Sequence, residues 1–366
     1  MTGQEGPSLR YGWTTGACAT ASTAAAYTAL LTGTFPDPVE IVLPKGHRPA
    51  FALARERLDA GSAMAAIVKD AGDDPDVTHG ALVSATVRHA EPGAGVEFRA
   101  GTGVGTVTKP GLPLPVGEPA INPVPRKLIR EVVERVAADH GGTGDVVVEI
   151  SVEDGEELAR HTWNPRLGIL GGLSILGTTG VVVPYSCSAW IDSIRRGVDV
   201  ARAEGLSHVA GCTGSTSEKL VERTYELAPE ALLDMGDFAG AVLKYLRRNP
   251  VPRLTIAGGI GKLAKLADGH LDLHSKRSQV NFALLANIVG DAGGSAEFAH
   301  RIRNANTALE ALTLCQEAGI PLGDLIATRA RDFSLTTLQG APIDVEILVI
   351  NRAGDLVGHA PFERRA

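Results

Sequence analysis

The spacing of apolar positions changes near residue 160. Before it they come in short runs that favour strands: Val39–Leu43, Phe51–Leu58 with imperfect alternation, Ala81–Val87, Val96–Ala100 and Val104–Thr108. An Ala-rich helix from Ala17 to about Leu31 comes early. A second, over about Pro125–Ala138, places Leu128, Ile129, Val132, Val133 and Val136 on one face. Val146–Val152 reads as a strong strand, and Asp154-Gly155 as a hairpin returning through Glu157–Thr162. After Trp163 the pattern becomes strand, glycine or serine loop, helix. Leu167–Leu170 leads to a helix over about Ser188–Glu204, and Ser207–Ala210 to one over about Ser217–Leu227. Leu232–Met235 leads to Phe238–Arg248, and Leu254–Ala257 leads through Gly258–Gly261 to another helix. Helices at about Gln279–Val289 and Thr307–Gly319 and a strand pair, Asp344–Ile350 with Leu356–His359, close the chain. Such repetition predicts a parallel sheet with helices on its faces. The expected class is α/β: a mixed α+β N-terminal domain over 1–160, then a Rossmann-like doubly wound parallel-sheet domain over 161–366.

One stretch, WNPRLGILGGLSILGTTGVVVP (Trp163–Pro184), stands apart. The chain is uncharged from Leu167 through Ile191, long enough to suggest a membrane span. Its glycines at 168, 171, 172, 177 and 180, and Pro184, favour turns and close backbone approach instead. Leu167–Leu170 reads as a buried strand, Gly171–Gly180 as a loop whose backbone can lie against a ligand, and Val181–Val183 as a second short strand.

A length of 366 residues fits two domains, and 44% hydrophobic with 21% charged residues fits a globular chain. Only the first eight residues and the last few read as disordered. A net charge of −7 supplies no global field toward DNA, RNA or anionic lipid, and 4% aromatic residues weigh against a stacking platform for single strands. Local cations must therefore hold any anionic substrate. Cys18, Cys187, Cys212 and Cys315 are scattered without metal-ligand spacing, so no metal site is expected. Reduced thiols and the start MTGQEGPSLRYGW, with no basic-then-apolar signal, point to the cytoplasm.

Three glycine-rich loops follow strands, at 171–180, 211–215 and 258–261. Each offers backbone N–H groups where doubly wound sheets bind nucleotides and their analogues, or else only permits a tight turn. The strict G-x-G-x-x-G pattern is absent. Gly261-Lys262 is followed by Leu263, so the phosphate-loop pattern fails too. Thr14-Thr15-Gly16 opens the first helix, either to cap it or to attract a carboxylate or phosphate. The run Lys69–Asp76 packs Asp70, Asp73, Asp74 and Asp76 without the spacing of a calcium loop; aspartates also cap turns. Lys109, Arg126, Lys127 and Arg130 bracket a proline-rich segment, Pro110–Pro125, and either grip an acidic substrate or stay solvated. His270, His274, Lys276 and Arg277 form a last polar group, in which a histidine either shuttles a proton or is a bystander.

Five long segments, in order across most of the chain, resemble the cobalt-precorrin-5B C1-methyltransferase family of anaerobic cobalamin biosynthesis. They are YGWTTGACATASTAA (Tyr11–Ala25), VKDAGDDPDVTHG (Val68–Gly80), GVGTVTKPGLPLPVGEPAINPVPRKLI (Gly103–Ile129), NPRLGILGGLSILGTTGVVVP (Asn164–Pro184) and GKLAKLADGHLDLHSK (Gly261–Lys276). Two places depart from the family pattern. Gly211–Glu218 stands where Pro-Gly-Asn-x-Gly is common, and Leu273-His274-Ser275-Lys276 where Thr-His-Ser-Lys is common. The resemblance implies methyl transfer from S-adenosylmethionine to C1 of a polycarboxylate, cobalt-containing tetrapyrrole, with cobalt only in the substrate and no nucleic acid or membrane partner. A homo-oligomer is left open. Cofactor contacts are then expected at Gly171, Gly172, Thr178, Thr179, Thr213, Gly214, Gly259 and Gly261, in the second domain. Substrate carboxylates are expected at Thr14, Thr15, Lys109, Arg126 and Lys127, and a catalytic part for Asp70 and Asp73. A nicotinamide-dependent oxidoreductase and a tetrapyrrole carrier are the alternatives.

Overall fold

A computed structural model describes residues 9–364, so the tails expected to be disordered lie outside the described residues. Contacts divide the chain into two units after Cys187, not near residue 160. The first unit runs β1 (Gly12–Trp13), α1 (Thr15–Thr32), β2 (Val39–Glu40), β3 (Ala50–Phe51), β4 (Arg55–Asp59), β5 (Ser62–Val68), β6 (Leu82–His89), β7 (Val96–Ala100) and β8 (Gly103–Val104). It continues with β9 (Thr106–Val107), α2 (Pro123–His140), β10 (Val146–Val152), α3 (Gly155–Ala159), β11 (Ile169–Leu170), β12 (Gly172–Leu173) and β13 (Val181–Val182).

Its main sheet has the order β4-β5-β6-β10-β7. Val83, Ala85 and Val87 on β6, and Val146, Val148, Ile150 and Val152 on β10, alternate onto one buried face. Helix α1 lies against β5 and β6, with α2 packed on it. That sandwich explains its composition: alanines and small hydroxyl residues bury α1 on every side. Thr20 and Thr23 return their hydroxyls to the carbonyls of Gly16 and Ala19 at 2.8 Å, and Ser22 donates to Val83 O at 3.0 Å.

Residues 161–187 join this unit through short pairings. β11 pairs with β9 and β13 with β1, both antiparallel, and β12 pairs parallel with β8. Leu167–Leu170 is therefore no part of the parallel sheet that its spacing predicts: Ile169 and Leu170 pair antiparallel with β9. The expected hairpin at 154 is also replaced, by α3. Asp154 turns the chain at φ 54°, and Gly155 lies against β8, where a Cβ would fall 2.2 Å from Gly103 O.

The second unit runs α4 (Ser188–Ala203), β14 (His208–Cys212), α5 (Ser215–Thr224), β15 (Leu232–Asp234), α6 (Ala239–Leu246), β16 (Arg253–Gly259) and α7 (Ile260–Ala267). Then come α8 (Phe282–Asp291), α9 (Ala296–Arg303), α10 (Ala308–Glu317), α11 (Leu322–Leu338), β17 (Asp344–Ile350) and β18 (Leu356–Glu363). Its sheet has the order β15-β14-β16-β17-β18, with four parallel strands and an antiparallel edge, β18. Val209, Leu254, Ile256, Val345, Ile347 and Val349 bury one face in the main core, which also takes residues of α4, α6, α7 and α11. Ala210, Cys212, Ala257 and Leu348 face the other way, toward Val221 of α5. The chain steps from β14 outward to β15, then crosses back past β14 to β16. Winding therefore changes direction between β14 and β16. Helices α9 and α11 go beyond the sequence expectation. α11 is polar along much of its length, and at Gly323 it presses on β18, where a Cβ would lie 1.8 Å from Val357 O.

Candidate functional site

In the first unit, four segments meet at the first turn of α1. Trp13 N–H donates to Asp70 O (2.7 Å), Thr14 N–H to Gly180 O (3.0 Å) and Gly16 N–H to Leu176 O (2.9 Å). The N–H of Asn122, which opens α2, donates to Ile175 O (2.9 Å). A Cβ at Gly16 would sit 2.7 Å from Pro125 Cγ, so only glycine lets the two helix starts approach. This crossing gathers Thr14, Thr15, Asp70, Asp73, Thr178 and Thr179. The hydroxyls of Thr14, Thr15 and Thr179 are engaged within the fold. Thr14 Oγ1 accepts from Ala17 N–H at 3.2 Å and caps α1. Thr15 Oγ1 accepts from Leu176 N–H (3.0 Å) and donates to Leu176 O (3.2 Å). Thr179 Oγ1 accepts from Val181 N–H at 3.3 Å. Gly172 does make a close backbone approach, but to β8: a Cβ there would lie 2.3 Å from Gly103. Gly171, at φ 82°, faces open space.

The aspartates pin the same crossing. Asp73 accepts from Arg10 N–H and Asp74 from Tyr185 N–H, each at 2.7 Å. Asp70 takes a two-armed bond from the Arg10 guanidinium and accepts from Gly72 N–H at 2.9 Å. The Arg10 bond holds its carboxyl below the ordinary aspartate range, so Asp70 is an ionised acceptor and a weak base. Asp76 accepts from Lys69 Nζ and from the N–H and hydroxyl of Thr78, all at 2.7 Å. Lys69 itself is buried, at 1% exposure. Burial also pushes the nearby Cys18 thiol up to about 12, keeping it protonated.

Of the three cations expected to meet a substrate, Arg126 is bound up in the fold. Its guanidinium donates to Ile121 O (2.8 Å), Pro119 O (3.0 Å) and Glu118 (2.9 Å) and lies over the Phe98 ring. The proline-rich segment hangs on that clamp. Lys109 is half-buried with its stem against Gly168. Lys127 is exposed, 3.7 Å from Glu131 one turn along α2.

In the second unit a cleft of about 750 Å³ opens beyond the carboxyl ends of β14, β16 and β17. Thr213, Gly214, Gly259 and Gly261 all line it, so four of the expected cofactor residues come together. Gly214 and Gly259 are the N-cap residues of α5 and α7, with no side-chain cap and nothing within 4 Å of a built Cβ. The first-turn N–H groups of both helices are left open to the cleft. Gly258 lets the loops touch, since a Cβ there would fall 2.7 Å from Thr213. The start of α10 closes another side, where Thr307 accepts from Glu310 N–H (3.1 Å) and Glu310 accepts from Asn306 N–H (2.8 Å). Val280, Phe282, Leu309 and Ile350 give the cleft an apolar part. Lys262 Nζ donates to Thr213 O (2.9 Å) and lies 3.2 Å from Asp237. Lys265, whose ammonium burial disfavours, donates to Leu273 O at 2.9 Å.

Comparison with known proteins matches the family model described as CbiD to residues 2–184, and that described as CbiD, C-terminal domain, to residues 272–361. The chain belongs to the CbiD family. The first match ends just before the unit limit at Cys187, in keeping with the pairing of β11, β12 and β13. A Cobalt-precorrin-5B C(1)-methyltransferase of Brucella anthropi is 60% identical over 97% of this chain and 96% of its own length. A protein of the same name from Brucella canis is 61% identical over 95% of each. A crystal structure of a cobalamin biosynthesis protein (cbiD) from Archaeoglobus fulgidus is 27% identical, with a TM-score of 0.40 over 74% of this chain and 83% of that one.

Within this CbiD-family chain, Gly171, Gly172, Thr178 and Thr179 belong to the first unit and do not line the cleft of the second. His270 and His274 do not line the cleft; His274 Nδ1 accepts from Lys276 N–H at 3.1 Å. Lys262, Lys265, Asn306, Asn351 and Arg352 also line the cleft and are not among the residues expected from the sequence. A signal existed for the first two: three residues apart on α7, they share one helix face. The others reach the cleft from distant turns that carry no motif.

Proposed function

We propose that this protein transfers a methyl group from S-adenosylmethionine to ring carbon C1 of cobalt-precorrin-5B, giving cobalt-precorrin-6A in anaerobic cobalamin biosynthesis in the cytoplasm. The near-full-length identity to the Brucella anthropi methyltransferase carries this reading. The second unit, in this view, is a Rossmann-like doubly wound domain that binds the methyl donor. Two observations support it: winding reverses between β14 and β16, and the cleft opens at that point. The residues present fit the donor. The open first turns of α5 and α7, with Lys262 nearby, suit its carboxylate. Asn306 suits the ribose hydroxyls, and Val280, Phe282 and Leu309 the adenine.

The donor supplies an already activated methyl group. The chain's part is to orient the macrocycle, exclude water and bring its carbon into line. The first unit binds the substrate, with Lys109 and Lys127 meeting carboxylates. Asp70, kept ionised by Arg10, accepts a hydrogen bond from a pyrrole-type nitrogen beside Asp73. Cobalt arrives with the substrate.

The test is an oxygen-free incubation with cobalt-precorrin-5B and methyl-labelled S-adenosylmethionine, read by mass spectrometry. Gain of one labelled methyl at C1 is expected. Pigment bound but left unmethylated would make the protein a carrier. Asp70→Asn turning over at the wild-type rate would remove Asp70 from the reaction.

A further inference from the structure

The cleft of the second unit is more attractive to anions than one methyl donor requires, an inference that rests on the reading just given. Among the described residues no aspartate or glutamate lines it, whereas Lys262, Lys265 and Arg352 do. Two of those cations are committed: Lys262 to Thr213 O and Asp237, Lys265 to Leu273 O. Arg352 is exposed, and its side chain makes no hydrogen bond, ion pair or ring contact with any described residue. Its backbone, however, is well held. Asn351 N–H donates to Asp355 O, Asn351 Nδ2 donates to Asp355 Oδ2, and Asp355 N–H donates to Asn351 Oδ1, all at 3.0 Å. Arg223 of α5 reaches across to donate to Gly354 O at 3.2 Å. The turn between β17 and β18 is thereby tied both to itself and to the helix whose first turn forms another wall of the cleft. A guanidinium without a partner among the described residues, on a fixed turn whose one carboxylate, Asp355, is bonded to Asn351, is preorganised for a planar anion.

We propose that Arg352 binds a peripheral carboxylate of the tetrapyrrole substrate through paired hydrogen bonds. S-adenosylmethionine is the poorer match. It carries one carboxylate against a sulfonium and an ammonium, and the first turns of α5 and α7 already serve that carboxylate.

Arg352→Gln and Arg352→Lys in the full chain test this. Neither loses an intramolecular bond, so their melting curves should coincide with that of the wild type. For Arg352→Gln the KM for cobalt-precorrin-5B should rise about 10- to 100-fold, the usual scale for a lost charged hydrogen bond. Arg352→Lys should recover part of it, and calorimetric affinity for S-adenosylmethionine should not move. An unchanged KM for the pigment would make Arg352 a solvated surface residue. Weakened S-adenosylmethionine binding with an unchanged pigment KM would reassign it to the donor. Should the wild type bind the pigment without methylating it, absorbance titration still reads pigment affinity, so the two proposals fail separately.

Discussion

Replacing Asp76 by asparagine removes one negative charge and almost no volume, leaving the Lys69 ammonium in a site only 1% exposed. Lys69 Nζ meets Asp76 Oδ2 at 2.7 Å, and the other oxygen is bonded twice by Thr78. Breaking a buried pair from one side costs about 3–5 kcal/mol, because the remaining charge has lost water and counter-charge together. Asp76 keeps 26% of its side chain exposed, which places this pair at the low end, about 3 kcal/mol. In a unit of this size that amounts to a fall of about 6–12 °C in its unfolding midpoint. Removing both ends, as Lys69→Met with Asp76→Ala, should cost much less than the sum of the single changes. The acid side gives a second reading. Burial tends to raise the Asp76 pKa, but the charge of Lys69 and the bonds from Lys69 and Thr78 outweigh it and hold the group below its ordinary value of 3.8. Its contribution is therefore complete above that value and is lost as pH falls toward the folded-state pKa. Thermal melts of wild type, both single variants and the double variant, repeated between neutral and acid pH, measure all of this. An Asp76→Asn loss below about 1 kcal/mol, or a double variant as unstable as the sum, would refute the reasoning.

Three further outcomes follow from the same kind of accounting. Gly323→Ala should strongly destabilise the second unit, since the added methyl would fall 1.8 Å from Val357 O and α11 cannot withdraw without unpacking β18; urea unfolding checks it. Arg126→Met should lower stability by about 1–3 kcal/mol by leaving the Ile121 carbonyl without its donor and removing the bonds to Pro119 O and Glu118, and should move the urea midpoint whether or not it changes the pigment KM. Burial lowers the His208 pKa below its ordinary 6.5, despite the opposing pull of Glu346. The unfolded chain then takes up the proton first, so the second unit should lose stability as pH falls through that value toward the folded-state pKa. His208→Gln should flatten the slope in melts from pH 8 to 5.

The second unit is the more legible of the two. β14, β15 and β16 each span several residues and are followed by a glycine turn and then by a helix, and β17 is a run of seven residues ahead of a turn and a second strand, so local pattern alone places all four. It also leads to Thr213, Gly214, Gly259 and Gly261 around one cleft. The first unit offers less. β8, β9, β11, β12 and β13 are two residues long, too short for any period to show, and their partners lie far along the chain. Glycine spacing announces a close approach without naming the neighbour: at Gly259 the space is open, whereas at Gly172 it is filled by Gly103. The same limit governs charge. Arg126 and Arg352 look alike in sequence, each an arginine in a polar turn or helix start. One is enclosed by Glu118, Pro119 and Ile121, and the other faces a cleft. Local sequence states what a residue is able to bond, and the long-range pairing of the backbone decides whether the fold or a ligand receives that bond.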